Sequence, residues 1–314
     1  MIDRYVLIMP RVFGAAVLCV LLANCGQRGG GCACIPPPPP FLAVVQRGAN
    51  EVAVYPLSGF DANPPAAVTS AAPNSTIVAA GADAIMGFGS IYVGEHPGTV
   101  AVFNVLHLVQ GDSLVSVGSI TDGINDPSAF GVQQFNGTQS LFIANRGANN
   151  VTIYEGNNNA SIGFNGAPEA TLSGLNAPNG LAFDTKGNLW VSQAADVVEF
   201  AVPLTASSVP ATTITNGLQS PSAIAFDFTG NMYVADTGKN AIVVYPAGST
   251  TPSVTVTNGL SGPAGLYING SYLYVSNEAG GNVAEYRLPL NPSSQPIATN
   301  AVDMNQPSGI TEIQ

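Results

Sequence analysis

Across residues 221–245 the chain reads PSAIAFDFTGNMYVADTGKNAIVVY, and its apolar and polar positions sort into three short runs. Residues 222–227, 231–236 and 240–245 alternate at period two and are rich in β-branched and aromatic side chains, which predicts three strands. DFTGN and DTGKN between them supply the Asp, Gly and Asn chemistry of tight turns. Three antiparallel strands with one apolar face cannot bury that face alone, so the unit is expected to stack on copies of itself.

The copies are present. The third run ends in an aromatic at Tyr55, Phe103, Tyr154, Phe200, Tyr245 and Tyr286, at spacings of 48, 51, 46, 45 and 41 residues. Second runs align as LAVVQ at 42, IYVGE at 91, LFIAN at 141, LWVSQ at 189, MYVAD at 232 and LYVSN at 273. First runs open with proline and a small residue: Pro127 and Ser128, Pro178 and Asn179, Pro221 and Ser222, Pro263 and Ala264, Pro307 and Ser308. Residues 83–85 (DAI) are a version without proline. Fourth runs recur as TITNGL at 213 and TVTNGL at 255.

Four strands per unit at this period predict an all-β, six-bladed β-propeller over residues 41–314. Residue 41 opens on a second-type strand, and 307–313 is a first-type strand with no successor. Paired, they complete one blade and close the ring, which covers exposed strand edges.

The repeat, Pro-x-Gly-hydrophobic, then Asp-x-x-Gly-Asn, then hydrophobic-x-Val-x-Asp with a Gly-containing loop and Asn, resembles the NHL repeat. The likeness is strongest over 178–193 and 221–245. It implies a six-bladed propeller of the broad group that includes the gluconolactonase family, without implying one activity. In that family a divalent metal at the channel mouth is held by Glu, Asn and Asp, and only Asn179 stands on a corresponding motif here.

Only 9% of residues are charged, against roughly 25% in an ordinary soluble domain, so Asn, Ser, Thr, Gln and Gly must build the solvent face. Net charge is −11, and setting aside Asp3, Arg4 and Arg11 leaves 6 basic residues against 18 acidic. Such a surface repels phosphate backbones, which excludes nucleic acid as the expected partner.

Residues 1–24 read as an export signal: Arg4 and Arg11 precede VFGAAVLCVLLA, an apolar run of 12 that is short for a membrane span. The run ends in Leu22, Ala23, Asn24 and Cys25, which resembles the lipobox of bacterial lipoproteins, with Asn24 where that family carries a small residue. Cys25 is then the lipid attachment site and the new N-terminus. Residues 25–40 run through glycines into five prolines, a tether that holds a domain off a surface. Cys32 and Cys34 lie inside it, leaving no cysteine for the folded body.

In propellers the loops before the first strand and between the second and third strands gather at one channel mouth. That grouping nominates Arg47, Asp83, Arg146, Asn179, Ser222 and Lys239 as ligand-binding residues, for an anionic or hydroxylated ligand. The other reading is that Asn and Asp cap turns and the basic residues are merely solvated. No Gly-x-Ser-x-Gly elbow, His-Glu-x-x-His or phosphate loop occurs. His96 and His107 read as structural or solvated rather than catalytic, and Trp190 as blade core.

The expected function is therefore a monomeric, non-catalytic module of the bacterial envelope. It needs no cofactor or metal and binds a protein, peptide or glycan. A metal-dependent lactonase-type hydrolase and a structural part of an envelope assembly are the alternatives. Single acyl chains hold a membrane only marginally, so stable retention needs the several of a bacterial lipoprotein. Cys25→Ala is expected to move the protein from the membrane to the soluble fraction; identical fractionation of both forms would remove the anchor.

Overall fold

The computed structural model describes residues 41–49, 51–57, 67–70, 76–79, 90–96, 98–104, 115–156, 164 and 166–313. Contacts divide the chain into Met1–Pro37 and Pro38–Gln314, and every described residue belongs to the second unit. Cys25, the tether, Asp83 and His107 lie outside the described residues.

The fold is an all-β, six-bladed propeller. The described residues form 24 strands in six four-stranded antiparallel sheets, with one 3-10 turn at Thr237–Lys239. We number the blades 1 to 6. Their innermost strands are Pro307–Ile313, Thr76–Ala79, Pro127–Phe135, Gly180–Phe183, Pro221–Phe226 and Pro263–Asn269, and these pack side by side around the ring. Pro307–Ile313 pairs along Phe41–Gln46, so blade 1 is built from both ends of the propeller. In blade 2 the inner position belongs to Thr76–Ala79, upstream of the 83–85 segment expected there.

The cores lie between blades, and both faces of the middle strands are buried rather than one. In Met232–Asp236, Met232 and Val234 join the cluster shared with blade 4, while Tyr233 and Ala235 join the one shared with blade 6. Period-two alternation thus sorts residues between two neighbours, and polar residues are left for strand ends and turns.

The six aromatic markers are all buried. Four carry hydroxyls that donate to carbonyls in the loop entering their own blade: Tyr55 to Val302, Tyr154 to Asp122, Tyr245 to Asn216 and Tyr286 to Asn258, at 2.5 to 3.1 Å. Burial pushes all four phenols above their ordinary value, so they act as neutral donors. This corrects the reading of TITNGL and TVTNGL as strands throughout. The strands end at Ile214 and Val256, and the following Asn-Gly pair makes a turn. Gly217 and Gly259 have φ of 84° and 72°, and a Cβ there would stand 3.3 and 3.0 Å from the tyrosine oxygen. The pattern is that of a type II turn, in which glycine supplies the positive φ.

The Asp-x-x-Gly-Asn signature is an equally specific device. Asp227 accepts from the N–H groups of Thr229 and Asn231, from the Asn231 amide and from the Tyr233 hydroxyl, at 2.8 to 3.2 Å. Asp184 takes Lys186, Asn188 and Trp190 in the same way, fixing Trp190 against Phe226. Burial alone would raise the Asp227 carboxyl, but bonds from Thr229, Asn231 and Tyr233 outweigh it and hold the group below its ordinary 3.8.

Two outcomes follow from these contacts. Deleting residues 307–314 strips Ile310 from the core shared by blades 6 and 1 and leaves Phe41–Gln46 with an unpaired edge. Aggregation or loss of cooperative melting is expected; a truncated chain that melts like the full one would mean the blades close otherwise. Because the folded Asp227 value is depressed, its bonded carboxylate stabilises above the unfolded value, and that contribution fades as pH falls through the folded one. Asp227→Ala should cost about 2 kcal/mol in urea melts at neutral pH, with the gap closing in strong acid; a gap independent of pH would rule out the charge as its source.

Candidate functional site

At the end of the ring where the inner strands begin, proline carries no N–H to satisfy, and its carbonyl faces the preceding blade. The residue after the preceding proline donates to it. Ser128 Oγ reaches Pro178 O at 2.6 Å, Asn179 Nδ2 reaches Pro221 O at 3.3 Å, and Ser222 Oγ reaches Pro263 O at 2.9 Å. The recurring proline and small polar residue therefore stitch blade to blade. Ala264 breaks the series, and Ser308 Oγ is buried with no partner among the described residues.

A second stitch explains the glycine of Pro-x-Gly. Ser192 Oγ donates to Ser222 O at 2.6 Å, and Ser276 Oγ donates to Ser308 O. A Cβ on Gly180 or Gly265 would stand 2.3 and 2.2 Å from those carbonyls. Gly180 lies opposite Ser192 and Gly265 opposite Ser276, whereas blade 3 has Ala129 opposite Ala144. Glycine and serine go together because the neighbouring strand comes that close.

The polar residues closing the second strands are likewise committed. Gln46 Oε1 accepts from Asn305 N, Asn145 Oδ1 from Asn125 N, Gln193 Oε1 from Asn176 N, and Asn277 Oδ1 from Ser261 N, at 2.6 to 3.1 Å. Asp236 takes Gln219 N and Ser220 N and caps the 3-10 turn through Lys239 N. Each buried side chain satisfies the loop entering its own blade, which is the turn-capping role. In blade 2 the corresponding residue is Glu95, whose carboxyl burial pushes up.

What remains is a cavity of about 490 Å3 at the mouth, lined by Arg47, Arg146, Asn179, Ser222, Glu278 and Ser308 among others. Four of the residues nominated from sequence, Arg47, Arg146, Asn179 and Ser222, thus come together. Arg47 Nη1 binds Glu278 Oε1 at 2.7 Å, joining blades 1 and 6. Arg146 Nε donates to Asn179 Oδ1 at 3.0 Å. Lys239 is not part of the site: it is exposed, and its Nζ donates to the carbonyl of Gly217. Asp83 lies outside the described residues. Among those residues no three His, Cys, Asp or Glu side chains converge on a point where a metal could sit.

Beneath the polar rim, one residue from each of five inner strands, Phe130, Leu181, Ile224, Leu266 and Ile310, contributes to a buried apolar belt. A second cavity of about 300 Å3, with Phe183, Phe226 and Tyr267 in its wall, shares Phe130, Leu181, Leu266 and Ile310 with the first. The belt was missed in the sequence reading, although its signal is simple: the hydrophobic residue three positions after each proline.

No protein-family model and no curated protein matches the chain. Solved structures do. A protein of unknown function from Bacteroides caccae aligns at TM-score 0.63 and 16% identity, covering 88% of this chain and 99% of that one. A structure of the nidogen–laminin complex aligns at 0.65 and 16%, covering 88% and 98%. A candidate 6-phosphogluconolactonase from Bacteroides uniformis aligns at 0.54 and 12%, covering 84% of each chain. At such identities the likeness is one of fold.

Proposed function

We propose that this protein is a non-catalytic binding or scaffolding module of the bacterial envelope. In this reading a lipid on Cys25 anchors it, and the propeller mouth is presented to a protein, peptide or glycan. The observation that carries the reading is how the mouth's polar atoms are spent. The hydroxyls of Ser128 and Ser222 and the amide of Asn179 hold neighbouring blades together, and Glu278 is occupied by Arg47. None of these is a nucleophile poised beside a base. The mouth keeps shape, a cavity of ligand size and an arginine, which suit recognition.

The second reading, a lactonase-type hydrolase, draws on the propeller shared with the candidate 6-phosphogluconolactonase. It needs several oxygen ligands around one divalent ion. The residues present at the mouth do not fit one. Asn179 Oδ1 accepts from a guanidinium nitrogen 3.0 Å away, whose charge repels a cation, and Glu278 already has its counter-ion.

The two readings separate by measurement on the full-length protein in detergent. Titration with calcium or zinc is expected to give no binding heat near micromolar concentration, and aldonolactones should not be hydrolysed. Peptide and glycan arrays should show binding that Arg146→Glu abolishes without changing the melting temperature. Tight metal binding with lactone turnover would promote the hydrolase, and array binding indifferent to Arg146→Glu would move recognition away from the mouth.

A further inference from the structure

The mouth's free chemistry is narrower than its lining suggests. Arg47 is neutralised by Glu278, whereas Arg146 has no carboxylate in salt-bridge range among the described residues and is bonded only through Nε. Its two terminal nitrogens form a planar fork of donors that matches the two oxygens of a carboxylate. Asn179 presets the guanidinium, which lowers the ordering cost of such a contact. Directly below lies the apolar belt, whose Leu181, Leu266 and Ile310 belong to both cavities.

We propose, building on the reading of the mouth as a binding site, that it takes a monocarboxylate carried on a compact apolar group. The carboxylate lies on the terminal nitrogens of Arg146 and the apolar group rests on the belt. A polyhydroxylated sugar would place hydroxyls against Leu181, Leu266 and Ile310, and desolvating them there without partners is costly. A dianion or polyanion would exceed the single uncompensated charge. The chemistry is offered by two sources, a free branched carboxylic acid and the C-terminal residue of a peptide. They differ in whether an amide precedes the carboxylate-bearing carbon.

The full-length protein in detergent is titrated, by calorimetry or ligand-observed NMR, with N-acetylleucine, N-acetylleucinamide and 4-methylpentanoate. The acids are expected to bind and the amide to bind at least about tenfold more weakly. Arg146→Gln should remove that preference with the melting temperature unchanged, and Lys239→Gln should leave it intact. If N-acetylleucine binds more tightly than 4-methylpentanoate in wild type, the source is a peptide end; equal affinity of both acids points to a free acid. Acid and amide binding alike, both lost in Arg146→Gln, would overturn the carboxylate assignment while leaving the mouth a binding site. Binding of every probe indifferent to Arg146, or no acid binding up to roughly 10 mM, would overturn it and count against the mouth itself.

Discussion

Every blade of this propeller is a twisted four-stranded sheet that buries both of its faces, and it can do so only between two neighbours. Each interface therefore brings backbone carbonyls and N–H groups out of water, and each must find a partner across it or cost free energy. The molecule meets this with a small repeated kit: a serine or asparagine hydrogen-bonded to the next blade's proline carbonyl, a strand-end amide or carboxylate on a loop N–H, and a tyrosine hydroxyl on a turn carbonyl. Removing a serine or asparagine of the first kind affects two blades, because the carbonyl it satisfies belongs to the neighbouring sheet, whereas the other two parts tie a blade to the loop that enters it.

That economy explains why the fold was legible in the residues and the site much less so. The blade count rested on aromatic spacing, and the aromatics recur because each fills the same slot and, in four blades, closes the same turn. Strand positions followed from period-two runs, which survive even where both faces are buried, since the alternation then separates one neighbour's core from the other's. The mouth is different. Asn179, Ser222 and Asp236 have the residue types of a binding site, and their spacing is consistent with either recognition or capping. Only the geometry of the hydrogen-bond partners separates these, and those partners lie 13 to 42 residues away on another strand, loop or blade. Lys239 illustrates the same limit: its loop belongs to the mouth, but its long side chain turns outward to Gly217.

The channel also has a division of labour that its residue types alone hide. A polar rim, made mainly of groups engaged between blades, sits above a belt of five large apolar residues from successive inner strands. Because the belt side chains are buried and in contact with the blade cores, the floor of the mouth is as well supported as the interior. A ligand held there would lose little to rearrangement, and variation at a rim residue that joins no blades can change the mouth's chemistry without disturbing the ring. Arg146 is placed for that kind of variation, being held by one side chain and supporting none of the blade cores.

Blade 1 takes its inner strand from residues 307–313 and its other three from residues 41–70, so the ring is joined by the last of the described strands in chain order. Until that strand is in place, Phe41–Gln46 has one side unpaired and blades 6 and 1 lack their shared seam. Blades 2 to 6 can thus each pair their four strands from one continuous stretch, whereas blade 1 can be finished only when the whole propeller sequence is present.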